Sequence, residues 1–397
     1  MSIAVFPKCM EDYYRKLTDI HGSPLMLLDC DQLAKQYRAL KAALPRAKFH
    51  YALKSNANPD LINALLDEGS GLDIATSGEI NILKSCVERP AELIHTHPFK
   101  KTSEIEDALD YGCRIFVADS PEELHKLAAY RDKIGLMIRV SFKNKNARVD
   151  LSKKFGTPLA EIPALVEESR RLELTVRGLS FHVGSQCING EAHAKAIRDC
   201  MTLWSGMERN ATEFDFLDIG GGYPAPYFEH TLDIDSFCAP IRDAIAEVPP
   251  HIKIIAEPGR FISGPSATLI STIIGATETS GIQWYILDDG MYGSFSGSFY
   301  SGTDYPIQVF SDSEERHLSM VAGPTCDSTD TVYENVDLPK LRENDLVVAP
   351  CMGAYTLVTA SEFNSIPKAK CITLNGHKAE IAALQKQLRV DSDKNDE

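Results

Sequence analysis

Between about residues 48 and 260 the chain keeps repeating one unit, a short β-rich run followed by a stretch with apolar residues at helical spacing. The runs are Phe49–Leu53, Leu72–Ala75, Leu93–Thr96, Ile115–Ala118, Leu136–Val140, Val176–Phe181, Phe214–Ile219 and Ile252–Ala256. Eight such units predict an α/β fold, a closed (β/α)8 barrel rather than an open doubly wound sheet, over residues 30–262. A barrel collects its chemistry at the C-terminal ends of its strands. Lys54, Asp73, Arg139, His182, Gly220-Gly221-Gly222 and Glu257 each lie at or just after an expected strand end.

Beyond residue 262 the pattern changes. Ala267–Ile274, Trp284–Leu287, Ile307–Phe310, Leu318–Ala322, Asp345–Val348 and Lys370–Leu374 read as strands, separated by stretches rich in Gly, Pro, Ser and Asp. This predicts a mostly β second domain over 263–380, with residues 1–29 packing on it. The strand-like Pro24–Leu28 could join either domain, and 388–397 reads as a disordered tail.

The formal charge of −15 argues against a nucleic-acid surface and favours a cationic small molecule. No apolar run reaches membrane-spanning length, and the N-terminus lacks a signal-peptide core. Ten cysteines form no Cys-x-x-Cys pair and no metal-like spacing with histidine, so the expectation is reduced thiols, a cytoplasmic location and no metal.

Lys54 closes the strand-like run Phe49-His50-Tyr51-Ala52-Leu53. An amine at the end of a buried strand is expected to be partly desolvated, which makes it a better nucleophile toward an aldehyde. Gly220-Gly221-Gly222 after the seventh strand lets backbone N–H groups approach an anion. Glu257-Pro258-Gly259-Arg260 after the eighth is a second tight turn, and barrels bind phosphate in these two loops. Lysine, phosphate cradle and barrel together suggest pyridoxal phosphate. Glu257 would then be the carboxylate that keeps the pyridine nitrogen protonated.

Seven motifs in order then carry a family resemblance: Tyr51-Ala52-Leu53-Lys54, Phe181-His182-Val183-Gly184-Ser185, Gly220-Gly221-Gly222-Tyr223-Pro224, Glu257-Pro258-Gly259-Arg260, Asp289-Gly290-Met291-Tyr292-Gly293-Ser294-Phe295, Gly323-Pro324-Thr325-Cys326-Asp327 and Gly353-Ala354-Tyr355-Thr356. Over roughly residues 24 to 378 the chain resembles the fold-type III pyridoxal-phosphate decarboxylases, within them the ornithine decarboxylase branch. The resemblance implies an alanine-racemase-like barrel with a β domain and a homodimer with shared sites.

It also implies roles. Lys54 holds the cofactor and His182 stacks on it. Ser185, Gly220, Gly221, Gly222, Gly259, Arg260 and Tyr355 bind its phosphate, with Asp73 and Arg139 close by and Glu257 at the ring nitrogen. Cys326 places a proton on the reacting carbon. Asp289 and Asp327 hold the distal ammonium of a diamino acid, beside Tyr292 and Phe363, the last supplied by the partner subunit. The implied reaction is decarboxylation of a basic L-amino acid: ornithine, giving the polyamine putrescine, with lysine second. A conjugate from siderophore or antibiotic synthesis is the alternative, since Ser296–Asp304 lacks the histidine-containing segment of the animal-type enzymes. Diaminopimelate fits less well, because paired aspartates repel a second carboxylate. A non-catalytic relative fits less well because Lys54 and the phosphate motifs are present.

Overall fold

The computed structural model describes residues 4–5, 8–87, 92–145, 147–149, 152–207, 214–227, 233–311 and 313–375. The expected tail at 388–397 lies outside the described residues. The chain divides into two compact units, 35–264 and 1–34 with 265–397.

In the first unit eight parallel strands close into a barrel. They are β1 Ala47–Ala52, β2 Gly71–Ile74, β3 Leu93–His95, β4 Ile115–Ala118, β5 Gly135–Val140, β6 Val176–Phe181, β7 Phe216–Asp218 and β8 Lys253–Ala256. Closure comes from β8 pairing back onto β1, with Ile254 opposite Ala47 and Ala256 opposite Phe49. The strands are nearly continuous apolar runs because both of their faces are covered, inside by the barrel core and outside by helices. Several helices start on local signals legible in the sequence. Asn58 caps Pro59–Asp67, Thr76 caps Ser77–Cys86, Ser120 caps Pro121–Leu127 and Asp233 caps Ile234–Ala246. Each of these N-caps accepts a backbone N–H that has no partner inside its helix.

In the second unit a nine-stranded mixed sheet is built on β9, Ala267–Thr279. The strands that follow are β10 Ile282–Leu287, β11 Gln308–Val309, β12 Arg316–Ala322, β13 Thr331–Pro339, β14 Leu346–Pro350 and β15 Lys370–Leu374. The strand Leu25–Asp29 pairs antiparallel with β9 and parallel with β15, so it belongs to this sheet. Leu17, Leu25, Leu27, Ile270, Phe310, Leu346 and Val348 form a core cluster within this unit.

The strand β13 was not expected. Its sequence, Thr-Val-Tyr-Glu-Asn-Val-Asp-Leu-Pro, breaks its alternation at Glu334-Asn335, and Asn335 takes a positive φ of 55° where the register slips against β12. β13 closes one end of the strand order, and an edge tolerates bulges and polar residues that a central strand would reject.

Candidate active site

Lys54 sits in the 3-10 turn Leu53–Ser55 that follows β1. The turn is fixed beneath it: Ser55 Oγ donates to the Ala52 carbonyl, and Tyr51 OH donates to the Asn56 carbonyl. The Lys54 side chain is 42 % exposed, with Nζ 2.9 Å from Asp73 Oδ2 and 4.0 Å from Glu257 Oε2. The turn carries the lysine past the strand end into the polar barrel mouth, where two carboxylates face it.

Asp73, on β2, is fully buried; its Oδ1 accepts from the Thr96 hydroxyl at 2.6 Å. Glu257 follows β8. Burial raises its pKa, the Asp73 charge adds to that, and Lys54 opposes it. Near by, Glu79 accepts the Ala75 N–H at 2.6 Å, and burial pushes its carboxyl up to about 7.

His182 follows β6. Its Nδ1 accepts the Gly184 N–H at 3.0 Å, which leaves the proton of the neutral ring on Nε2. Burial holds its pKa well below the ordinary value, helped by the charges of Arg139 and Lys54. Arg139, near the end of β5, lies over the Phe155 ring at 5.3 Å.

The glycine turn packs against this group. A Cβ on Gly221 would stand 2.6 Å from the Glu257 carbonyl oxygen and 3.1 Å from His182 Nε2; one on Gly222 would stand 2.4 Å from the Gly184 carbonyl oxygen. Only glycine lets the three loops meet this closely. Arg260 is buried, with Nε 3.4 Å from Ser185 Oγ and Nη1 3.4 Å from Tyr227 OH. A buried guanidinium, a serine hydroxyl and a loop stripped of side chains suit a phosphate. Asp73 and Glu257, acids facing a lysine, suit the pyridinium and aldehyde ends of pyridoxal phosphate. The residues present fit that cofactor.

The second unit carries the other sequence-predicted residues. Asp289 is buried; its Oδ1 accepts the N–H groups of Gly290 and Ser294 at 2.8 and 2.9 Å, and burial pushes its carboxyl up to about 6. Its Oδ2 has no hydrogen-bond partner among the described residues. Asp289 lines a cleft with Tyr292, Thr325, Ser361 and Phe363. The Tyr292 hydroxyl donates to Asp327 Oδ2 at 2.6 Å, and its ring stacks on Phe363 at 4.5 Å. That hydrogen bond, with two from Thr329, holds the Asp327 carboxyl below its ordinary value. The Cys326 thiol is exposed, and its backbone N–H is held by Asn364 Oδ1. Tyr355 adopts a φ of 54°. No residue of 296–304 lines this cleft, and Phe299 and Tyr300 are largely exposed.

Three acids had no role in the sequence reading. Asp330 is buried and accepts the N–H groups of Met291 and Thr325, pinning together the loops that carry Tyr292 and Cys326. Glu79 looks like an ordinary helix-start glutamate. Asp218, the last residue of β7, looks like a turn aspartate and does accept the Gly220 N–H at 2.9 Å. Only burial sets these three apart, and composition does not report burial.

Residues 30–264 match the family described as "Pyridoxal-dependent decarboxylase, pyridoxal binding domain", and the chain belongs to that family of pyridoxal-phosphate-dependent carboxy-lyases. Among individual relatives, it is 34 % identical to the lysine/ornithine decarboxylase of Selenomonas ruminantium, over 88 % of this chain and 89 % of that one. It is 32 % identical to the ornithine decarboxylase of Caenorhabditis elegans, over 92 % of each. The solved structure of Vibrio vulnificus lysine/ornithine decarboxylase with cadaverine is 41 % identical; the match covers 94 % of this chain and 98 % of that chain, with a TM-score of 0.89. Among the described residues no helix is long and apolar enough to cross a membrane, and no cluster of His, Cys, Asp and Glu could hold a metal ion.

Proposed function

We propose that this enzyme decarboxylates ornithine, releasing putrescine, with lysine as its second substrate. The observation that carries the reading is Asp289: a buried carboxylate whose Oδ2 has no hydrogen-bond partner among the described residues, in a cleft beside Tyr292 and Phe363. Such a group suits an ammonium and penalises a carboxylate. The names of the Selenomonas and Vibrio relatives support the same pair of substrates.

Lys54 is the group that holds the cofactor aldehyde, and Asp73 orients its ammonium form. Arg260, Ser185, Gly220, Gly221, Gly222, Gly259 and Tyr355 hold the phosphate. His182, neutral and Nε2-protonated, would pack against the ring of the bound cofactor, with Arg139 near by. Glu257 would hold the ring nitrogen in its protonated form. When bound, pyridoxal phosphate supplies the electron sink for the pair left by departing CO2. The Cys326 thiol delivers a proton to the substrate Cα, and Asp289 and Asp327 hold the distal ammonium. The family resemblance supports a two-fold homodimer in which the partner chain supplies Cys326, Asp327 and Phe363. The described cysteines are free thiols, which suits a reducing, cytoplasmic setting.

Ornithine and lysine differ by one methylene, worth only about 1–3 kcal/mol of selectivity. Release of CO2 from ornithine, lysine, arginine, diaminobutyrate and diaminopimelate tests the reading. Ornithine should be fastest, lysine measurable and diaminopimelate inert. Preference for diaminopimelate, or for any neutral amino acid, overturns it.

A further inference from the structure

The barrel mouth gathers three buried acids near the cations Lys54 and Arg139. Asp73, Asp218 and Glu257 are 2, 0 and 7 % exposed. Lys54 is 2.9 Å from Asp73 and 4.0 Å from Glu257. Asp73 is satisfied by Lys54 and by the Thr96 hydroxyl. Asp218 is not satisfied. Its Oδ1 accepts the Gly220 N–H, but its Oδ2 is buried with no partner among the described residues. The side chain facing it is Glu257, a second carboxylate, and two ionised carboxylates have no proton to offer each other. An ionised oxygen left bare in the interior beside another negative charge is strongly unfavourable. One proton on Oδ2 removes the bare charge and turns a repulsion into a hydrogen bond.

We propose that Asp218 is a positioning residue that stays protonated and donates to Glu257, so that the buried pair carries a single negative charge, aimed at the cofactor. The consequence for turnover rests on the decarboxylase reading; the proton itself does not. The groups acting on Asp218 are Glu257 and Asp73, and the buried Tyr223 of the following loop senses its charge; Lys54 and Arg139 act on Glu257. Burial raises both acids, then their mutual repulsion raises Asp218 well above the carboxylate range, while the hydrogen bond from Asp218 favours the ionised form of Glu257. The proton therefore stays on Asp218, the fully buried member, and Glu257 keeps its charge. Oδ1 meanwhile caps Gly220, tying this acid pair to the glycine turn.

Asp218→Asn tests this, because an asparagine keeps an acceptor for Gly220 and an N–H donor toward Glu257 but cannot titrate. The full-length holoenzyme, with pyridoxal phosphate in fixed excess, is unfolded in urea at pH 5.5, 6.5 and 7.5. An acid raised in the folded state stabilises fully below its unfolded pKa, about 3.9, and loses that stabilisation as pH rises toward its folded value. Wild type should therefore lose folding equilibrium constant about tenfold per pH unit relative to Asp218→Asn. Asp218→Ala should show the same relative slope, so a poorly folded Asn variant does not end the test. Glu79 is common to all three proteins and cancels. Wild type should also show a protonated-carboxyl band in its infrared spectrum that both variants lack. In turnover, Asn should stay within a few fold of wild type, while Ala loses tenfold or more and shifts the pH dependence of cofactor absorbance. Parallel stability curves for wild type and variants, or an Asn variant as slow as Ala, overturns the proposal. Neither the unfolding nor the infrared arm needs a substrate. A wild type that decarboxylates no basic amino acid would therefore sink the function while these two arms still decide the proton.

Discussion

At the barrel mouth Asp73, Asp218 and Glu257 are buried together, and Asp218 and Glu257 answer to the charges around them, whereas in the β unit Asp327 is only partly buried and answers to the hydroxyl of Tyr292. The first group stands at or near strand ends, and its separations are set by the barrel register, with Asp73 opposite Ala52 and Asp218 opposite Ile255. The second stands on loops pinned by backbone amides, Asp330 accepting from Met291 and Thr325. Charges on a rigid, dry scaffold cannot relax, so altering one should change chemistry. Charges on loops near water are adjustable, so altering one should change which molecule binds and how tightly. Asp289 and Asp330 are exceptions in the second unit, since both are buried as deeply as the barrel acids.

Lys54→Ala is the severest test of the barrel group. Borohydride should fix the cofactor to Lys54 in wild type, and the variant should lose about 10³-fold or more in turnover. Labelling of another lysine would break the assignment. Glu257→Ala comes next: cofactor retained, kcat down about 10²-fold, because an unprotonated ring nitrogen is a poor electron sink. If KM changed instead of kcat, the barrel group would be a binding element and the contrast would fail.

Asp289 and Asp327 test the other side. Asp289→Ala and Asp327→Ala should each raise KM for ornithine by about tenfold or more with a smaller change in kcat. Asp289 ionises at about 6, so its attraction for an ammonium is present above that pH and lost below it. The kcat/KM of wild type should fall as pH drops through about 6, and Asp289→Ala should lack that limb. The smallest signal is a recovery. Lys54→Ala mixed with Cys326→Ala should regain about a quarter of wild-type activity, since half of randomly paired dimers contain one intact site of two. A mixture as inactive as its parents, with exchange verified by tag pull-down, would put both residue groups in one chain.

The barrel was legible because each of its strands is a local apolar run and a (β/α)8 barrel needs eight. All eight expected runs overlap observed strands, and Ile115–Ala118 and Val176–Phe181 coincide with them. The β unit was less legible. Its edge strand β13 hides behind Glu334, Asn335 and Pro339, and the allegiance of Leu25–Asp29 depends on partners more than two hundred residues away. Residue type and spacing brought Lys54, His182, Glu257 and the three glycines to attention, because their chemistry is written in the side chain or in its lack. Protonation is different. Whether an acid carries a charge depends on how much water reaches it and which charges surround it. Asp73, Asp218 and Glu257 are scattered over nearly two hundred residues and become neighbours only when β8 closes onto β1. Sequence determined which groups could ionise; the closed barrel decided that the amine of Lys54 would stand in a polar mouth, that Asp289 would titrate near 6, and that Asp218 would have no room for a bare charge.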